Sequence, residues 1–161
     1  MRYFALDTSA LSKRYHLERG TPWMMNLFEQ AFNSLPERLV ISRMIIAEVV
    51  WVLKRRLNTH TLDQTSMNDV LNKLERESHL MSTLNLDDDT IDAAHPIILR
   101  HNLNSSDAIF LYQCTQAAAA LRQFGNELVL IASDSRLLRA ASGEGLAVLN
   151  PETDDQTGLE I

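Results

Sequence analysis

The stretch Arg2-Tyr-Phe-Ala-Leu-Asp7-Thr-Ser-Ala-Leu11 opens the chain, and the prediction of its fold starts here. Residues 3–6 form an uninterrupted apolar run, which is typical of a buried central strand in a parallel sheet. The run ends at Asp7, and the next two residues, Thr8 and Ser9, are turn and cap residues before a helix that begins at Ala10. Asp7 is therefore predicted at the carboxyl end of a core strand, the edge where open α/β sheets bind ligands. An aspartate before a helix can also be a simple cap, so this position alone does not decide between the two roles.

Asp134 repeats the context of Asp7. It follows the apolar run 128–132, the clearest buried strand of the sequence, and precedes a short helix predicted over 136–142 and closed by Gly143. Because the carboxyl ends of parallel strands meet at one edge of a sheet, the two aspartates are predicted to share that edge.

Two further acidic residues lie on predicted helices. Glu48 belongs to a largely buried helix over 43–57, and the residues three and four positions away from it are all apolar (Met44, Ile45, Trp51 and Val52). A carboxylate in that setting needs a partner or a metal, although pairing with a nearby arginine would also satisfy it. Asp107 lies in the first turn of a helix over 105–124, on the same stripe as Leu111 and Cys114, and a plain first-turn aspartate is the alternative.

The remaining segments predict an α/β fold with a mostly parallel sheet. Further short strands are expected at 39–41, 80–84 and 146–149, and helices between them, with a kink at Pro96. Residues 1–151 are assigned to one domain, and residues 152–161 to an acidic, mobile tail.

Composition places the chain among ordinary soluble proteins. It has 161 residues, 45% of them hydrophobic and 22% charged, and a net charge of −6. It has no membrane-spanning run and no export signal, and its one cysteine, Cys114, is interpreted as a buried residue in a reducing compartment, so a cytoplasmic location is expected. Four of the 21 acidic residues lie in the tail, which leaves 17 against 15 basic residues. The negative charge therefore does not exclude a polyanionic substrate.

Clustering Asp7, Glu48, Asp107 and Asp134 would create a strongly negative site with oxygen ligands only. A hard divalent cation resolves that repulsion, and such a ligand set suits Mg²⁺ or Mn²⁺ rather than Zn²⁺. These ions commonly serve phosphoryl chemistry.

Four segments, Leu6–Leu11, Ala47–Val49, Ser106–Leu111 and Ala132–Leu138, resemble the four motifs of the PIN-domain ribonucleases, and most closely those of the VapC toxins of toxin–antitoxin pairs. The resemblance covers about residues 3–151. It implies a three-layer α/β/α fold with a central five-stranded sheet, and metal-dependent cleavage of RNA by the four acids. It also implies that Ser133 positions the acids, that the protein forms a homodimer, and that a cognate antitoxin inhibits it. The chain departs from the family pattern at Phe110-Leu-Tyr112 and at Pro96.

Residues around the acids receive supporting roles. Thr8, Ser9 and Ser133 are expected to support the acidic site. Basic residues near the motifs are predicted to contact RNA: Lys13, Arg14, Lys54, Arg55 and Arg136. For those at the end of the helix over 43–57, a favourable interaction with the helix dipole is the alternative role.

Two other interpretations compete with the ribonuclease. Haloacid-dehalogenase-like phosphatases carry a second aspartate two residues after the first, and response-regulator receivers carry an acidic pair and a late lysine, neither of which is present. A non-catalytic PIN-like module that binds RNA or protein remains the alternative.

Overall fold

The structure is a computed structural model that describes residues 1–59 and 63–155. In this part of the chain, five strands form one sheet in the order β3-β2-β1-β4-β5, and every neighbouring pair is parallel. The strands are β1 (Arg2–Leu6), β2 (Leu39–Ser42), β3 (Ser82–Leu84), β4 (Glu127–Ile131) and β5 (Ala147–Leu149). Phe4, Ala5 and Leu6 are fully buried in the central strand. The predicted fold is thereby confirmed, with a sheet that is parallel throughout.

Helices flank the sheet in two groups, as right-handed crossovers require. The first group is α1 (Thr8–Leu11), α2 (Thr21–Phe32), α3 (Arg43–Asn58) and α4 (Gln64–Ser78). The second group is α5 (Asp88–Ala93), α6 (His95–His101), α7 (Ser105–Arg122) and α8 (Ser135–Gly143). Short 3₁₀ helices occur at Ser12–Arg14 and Pro36–Arg38. Among the described residues, no helix is long and apolar enough to cross a membrane.

The sheet order creates a switch point between β1 and β4. The chain proceeds from β1 through β2 to β3 at one edge, and then returns to place β4 on the other side of β1. Side chains that follow these two strands therefore meet at the crevice where open α/β sheets bind ligands. The backbone closes this crevice at its base, because the N–H of Asp7 donates to the carbonyl of Ile131 at 3.0 Å.

Several predicted helices differ in detail. Pro96 lies in the first turn of α6, which begins at His95, rather than kinking one long helix, because proline lacks the N–H that a continuous helix would need. Gly143 is the last residue of α8, and the left-handed conformation lies at Gly145 (φ +78°). The predicted strand at 80–84 shortens to Ser82–Leu84.

The prediction that α3 is largely buried is wrong. Only Ile45, Val49 and Leu53 of this helix are buried, and Trp51 is 60% exposed. Spacing explains the difference, because the three buried residues fall on one stripe at intervals of four and Trp51 lies outside it. Cys114, by contrast, is buried as predicted.

Residues 152–155, assigned to a mobile tail, are held against the domain. The Glu152 carboxylate lies 2.7 Å from Lys13 Nζ, and the indole N–H of Trp23 donates to the Asp155 carbonyl at 3.4 Å. The carbonyl of Pro151 also approaches Gly20 so closely that a Cβ there would lie 2.8 Å from it. The remaining tail residues, 156–161, lie outside the described residues.

Candidate active site

Asp7 caps α1 from a buried position at the end of β1. One of its carboxylate oxygens accepts the N–H of Ser9 at 2.9 Å and the hydroxyl of Ser9 at 2.6 Å. Burial raises the pKa of Asp7, the Ser9 hydroxyl and the backbone N–H groups of Ser9 and Thr8 lower it, and the charge of Glu48 raises it. Burial being the largest effect, the pKa lies above its usual value. The Ser9 hydroxyl oxygen also accepts the N–H of Ser133 at 2.8 Å, which ties the end of β1 to the segment after β4.

Glu48 reaches the same edge from α3. Its carboxylate accepts a short hydrogen bond from the hydroxyl of Thr8, the residue that follows Asp7. The sequence predicted a partner for the Glu48 carboxylate, and in the structure that partner is the Thr8 hydroxyl of α1. The predicted supporting residues Thr8 and Ser9 thus each bind one of the acids.

Asp107 lies in the first turn of α7 and is held by Asn104, the cap residue of that helix. The Asn104 side chain accepts the N–H of Asp107 at 2.8 Å and donates to the Asp107 carboxylate at 2.9 Å. Asn104 was not predicted from the sequence, although a capping residue three positions before an acid resembles the capping-box spacing.

Asp134 caps α8 and accepts the backbone N–H groups of Arg136 at 2.7 Å and Leu137 at 3.2 Å. These bonds leave its second carboxylate oxygen directed toward Arg136, whose terminal nitrogen lies 3.7 Å away. Asp7 and Asp134 are thus both helix caps at the carboxyl edge of the sheet. For Asp7, capping and the edge position were alternatives in the sequence, and the structure shows both.

The charges of the other three acids all act on Asp107. Burial and then the charges of Asp7, Asp134 and Glu48 raise the pKa of Asp107 to about 6, against a smaller opposing effect of Arg136. The structure therefore places Asp7, Glu48 and Asp134, which come from both helical groups, within electrostatic reach of Asp107.

The four acids fit a hard divalent cation in the chemistry of their oxygen ligands. In the ranges 1–59 and 63–155, no three acidic, histidine or cysteine side chains are close enough to form a ready-made metal group. A cation would therefore have to draw these carboxylates closer together. Beside them, the hydroxyl oxygen of Ser133 is buried with no well-aligned hydrogen-bond partner, although its proximity to Glu152 helps to lower the pKa of that carboxyl group. Such a polar atom can bind a ligand or its water.

The basic residues predicted to contact RNA divide into two sets. Lys54, Arg55 and Arg136 are exposed. Lys13 is only 3% exposed, and its ammonium group lies near Glu152 and Glu18. 

Arg14 is likewise directed into the protein. Its guanidinium group pairs with Glu77 at 2.7 Å and lies 5.0 Å from the centre of the Phe28 ring. The inward placement of Lys13 and Arg14 does not fit the predicted contact with RNA, because buried ion pairs already engage both side chains.

Comparisons with known proteins agree with this architecture. The family model described as the PIN domain matches residues 4–143. PAE2754 from Pyrobaculum aerophilum is similar in structure, with 20% identity, a TM-score of 0.62, and coverage of 94% of this chain and 90% of that chain. FitAcB from Neisseria gonorrhoeae has 14% identity, a TM-score of 0.62, and coverage of 94% and 99%. A toxin–antitoxin complex from Klebsiella pneumoniae has 16% identity, a TM-score of 0.55, and coverage of 91% and 96%.

No curated protein matches the chain. Identities of 14 to 20% establish a common fold and nothing finer. The family model, however, spans most of the sequence and includes the segments that carry all four acids. The chain belongs to the PIN-domain family.

Proposed function

We propose that this protein is a metal-dependent endoribonuclease that hydrolyses RNA phosphodiester bonds with Asp7, Glu48, Asp107 and Asp134. The observation that carries the proposal is that Asp7 and Asp134 follow the neighbouring strands β1 and β4, where the Ser133 N–H donates to the Ser9 hydroxyl oxygen. The charges of Asp7, Glu48 and Asp134 all act on Asp107 at this edge. Membership of the PIN-domain family supports a nuclease role.

The cofactor in this proposal is Mg²⁺ or Mn²⁺, held by the four carboxylates. When bound, the ion would polarise the scissile phosphate and lower the pKa of an attacking water. The chain's own contribution is to hold the carboxylates in place: Ser9 fixes Asp7, Thr8 fixes Glu48, and Asn104 fixes Asp107.

The cellular role we propose is that of a toxin with a protein antitoxin, acting as a homodimer in the cytoplasm. The structural similarity to the Klebsiella toxin–antitoxin complex supports this part of the proposal. Co-purification with the product of a short neighbouring reading frame would test the antitoxin, and light scattering of the purified protein would test the dimer.

Cleavage of a fluorescent RNA distinguishes the enzyme from a non-catalytic PIN-like binding module. We expect EDTA to stop cleavage, Mg²⁺ or Mn²⁺ to restore it, and Zn²⁺ to restore it poorly, because the ligands are carboxylates. Asp7→Asn should abolish cleavage. The control is Asp89→Asn, which alters an exposed first-turn aspartate of α5 and should cleave like the wild type. RNA binding without cleavage under all these conditions would support the binding module instead.

A further inference from the structure

A cavity of about 370 Å³ lies between the end of α6 and the outer face of α8. Its lining is Arg100, His101, Asn102, Arg136, Arg139 and Ala140. None of the four acids lines it, and of its lining only Arg136 appears among the residues predicted to contact RNA. We call it the arginine cavity.

The arginine cavity carries net positive charge. Three arginines line it, and two carboxylates lie near them: Asp134 is 3.7 Å from Arg136, and Glu144 is 2.5 Å from Arg100. The same Glu144 oxygen lies 2.6 Å from His101 Nε2, so this one carboxylate fixes two lining residues of α6 to the end of α8. Glu144 therefore holds Arg100 and His101 in place on the α6 side of the cavity.

Arg139 presents its charge to the cavity. It follows Arg136 by three positions, so both side chains lie on one face of α8. The Nε of Arg139 donates to the Ser135 carbonyl at 3.2 Å, which anchors the side chain by its inner nitrogen and leaves the two terminal nitrogens at the outer end of the guanidinium. A planar guanidinium held in this way suits bidentate binding of phosphate oxygens.

The arginine cavity adjoins the acidic site. Arg136 belongs to its lining and also lies beside Asp134, and its charge acts on Asp107. On the α6 side, the lining residue Asn102 lies two residues before Asn104, which holds Asp107. Two residues span at most about 7 Å of chain.

We propose that the arginine cavity binds a phosphate of the RNA backbone one or two nucleotides from the scissile bond. This inference rests on the ribonuclease function proposed above. Phosphate is favoured over a base because the lining holds three arginines, while its one aromatic ring, His101, is engaged by Glu144. The bound phosphate would position the strand across the acids without itself reacting.

The test combines protein and substrate changes. Short RNAs in which one phosphate at a time is replaced by an uncharged methylphosphonate are cleaved by the wild type and by the double variant Arg100→Gln/Arg139→Gln. In the wild type, we expect replacement at one position near the scissile bond to raise KM about three- to tenfold and to leave kcat little changed. The double variant should show a similarly raised KM with unmodified RNA. Placing the methylphosphonate at that position should not raise its KM further.

Arg122→Gln is the matched control. It removes one arginine from the last residue of α7, about 22 Å along that helix from Asp107, and should retain the wild-type response to the methylphosphonate. The inference is overturned if the double variant still responds as the wild type does, or if no position near the scissile bond affects KM. Absence of cleavage by the wild type would instead reject the ribonuclease function, so the two failures are distinguishable.

Discussion

At the scale of single residues, two opposing effects act on Asp107. Its place in the first turn of α7 favours the ionised carboxylate by about 0.3–1 kcal/mol. Burial and three neighbouring carboxylates act against ionisation, and they raise the pKa from 3.8 to about 6. A shift of that size corresponds to about 3 kcal/mol before solvent screening, so burial and charge repulsion together prevail over the helix dipole.

Asp107→Asn should therefore stabilise the metal-free protein. Since the folded pKa lies above the unfolded one, the folded state binds its proton more tightly, and the wild type loses stability as pH rises from about 4 to about 6. In EDTA at pH 8, we expect the variant to gain about 1–2 kcal/mol in the free energy of unfolding after screening. The gain should disappear near pH 4. Denaturant unfolding at the two pH values measures both quantities.

Asp89→Asn provides the matched change, because Asp89 lies in the first turn of α5 but is exposed. It should lose up to about 1 kcal/mol at pH 8 through the helix dipole. If Asp107→Asn is also destabilised at pH 8, Asp107 has a structural role and the account of a repulsive acidic site fails.

The sequence was informative about the acids and less so about the side chains that hold them. Each acid follows a strand or lies on a helix whose pattern is legible from hydrophobicity alone. The contact between Thr8 and Glu48 joins residues 40 positions apart, so only the packing of α1 against α3 reveals it. Lys13 was predicted to contact RNA, but its ammonium group is buried beside Glu152. That pairing depends on how the C-terminal residues fold back, which the sequence pattern does not show.

At the scale of elements, the turn after β5 is an integral part of the domain. Gly20 has φ +85°, and a Cβ there would lie 2.8 Å from the carbonyl oxygen of Pro151. Gly125 has φ +70° with no atom within 4 Å of the corresponding position. Both glycines thus have a left-handed backbone, but only Gly20 lies against another backbone segment, at Pro151.

Substituting each glycine by alanine isolates that contact. Gly125→Ala should cost about 1 kcal/mol for the left-handed backbone alone. Gly20→Ala should cost about 1–3 kcal/mol more, because the methyl group collides with backbone atoms that cannot move aside without displacing the turn. Thermal or denaturant unfolding measures both values. Equal costs would mean that the residues after β5 yield freely, as the mobile tail predicted from the sequence would.

The existence and order of the elements could be predicted, but the exposure of α3 could not. The apolar residues of α3 suggested a largely buried helix, but a helix against one face of a sheet buries one stripe, and Trp51 lies outside that stripe. Pro96 was recognised as an interruption, while the choice between a kink and a break depends on the packing around it.

At the scale of the whole molecule, the site is a consequence of topology. The return of the chain from β3 to β4 places Asp134 beside Asp7, and α3 and α7 then contribute Glu48 and Asp107 from opposite layers. The alternation of strands and helices predicted this edge from the sequence. What it could not predict is the spacing of the carboxylates, which lie within electrostatic reach and still short of a ready-made metal group in the described residues.

The most direct test of a cation-binding acidic site is the pKa of Asp107, measured by NMR from the carboxyl ¹³C shift in labelled protein, with and without Mg²⁺. In chelator, we expect a pKa of about 6. In saturating Mg²⁺, it should fall by at least about two units, because a bound cation stabilises the ionised carboxylate. In the variant Asp7→Asn, the response to Mg²⁺ should weaken. A pKa near 3.8 in chelator, or a value near 6 that Mg²⁺ leaves unchanged, would contradict the account.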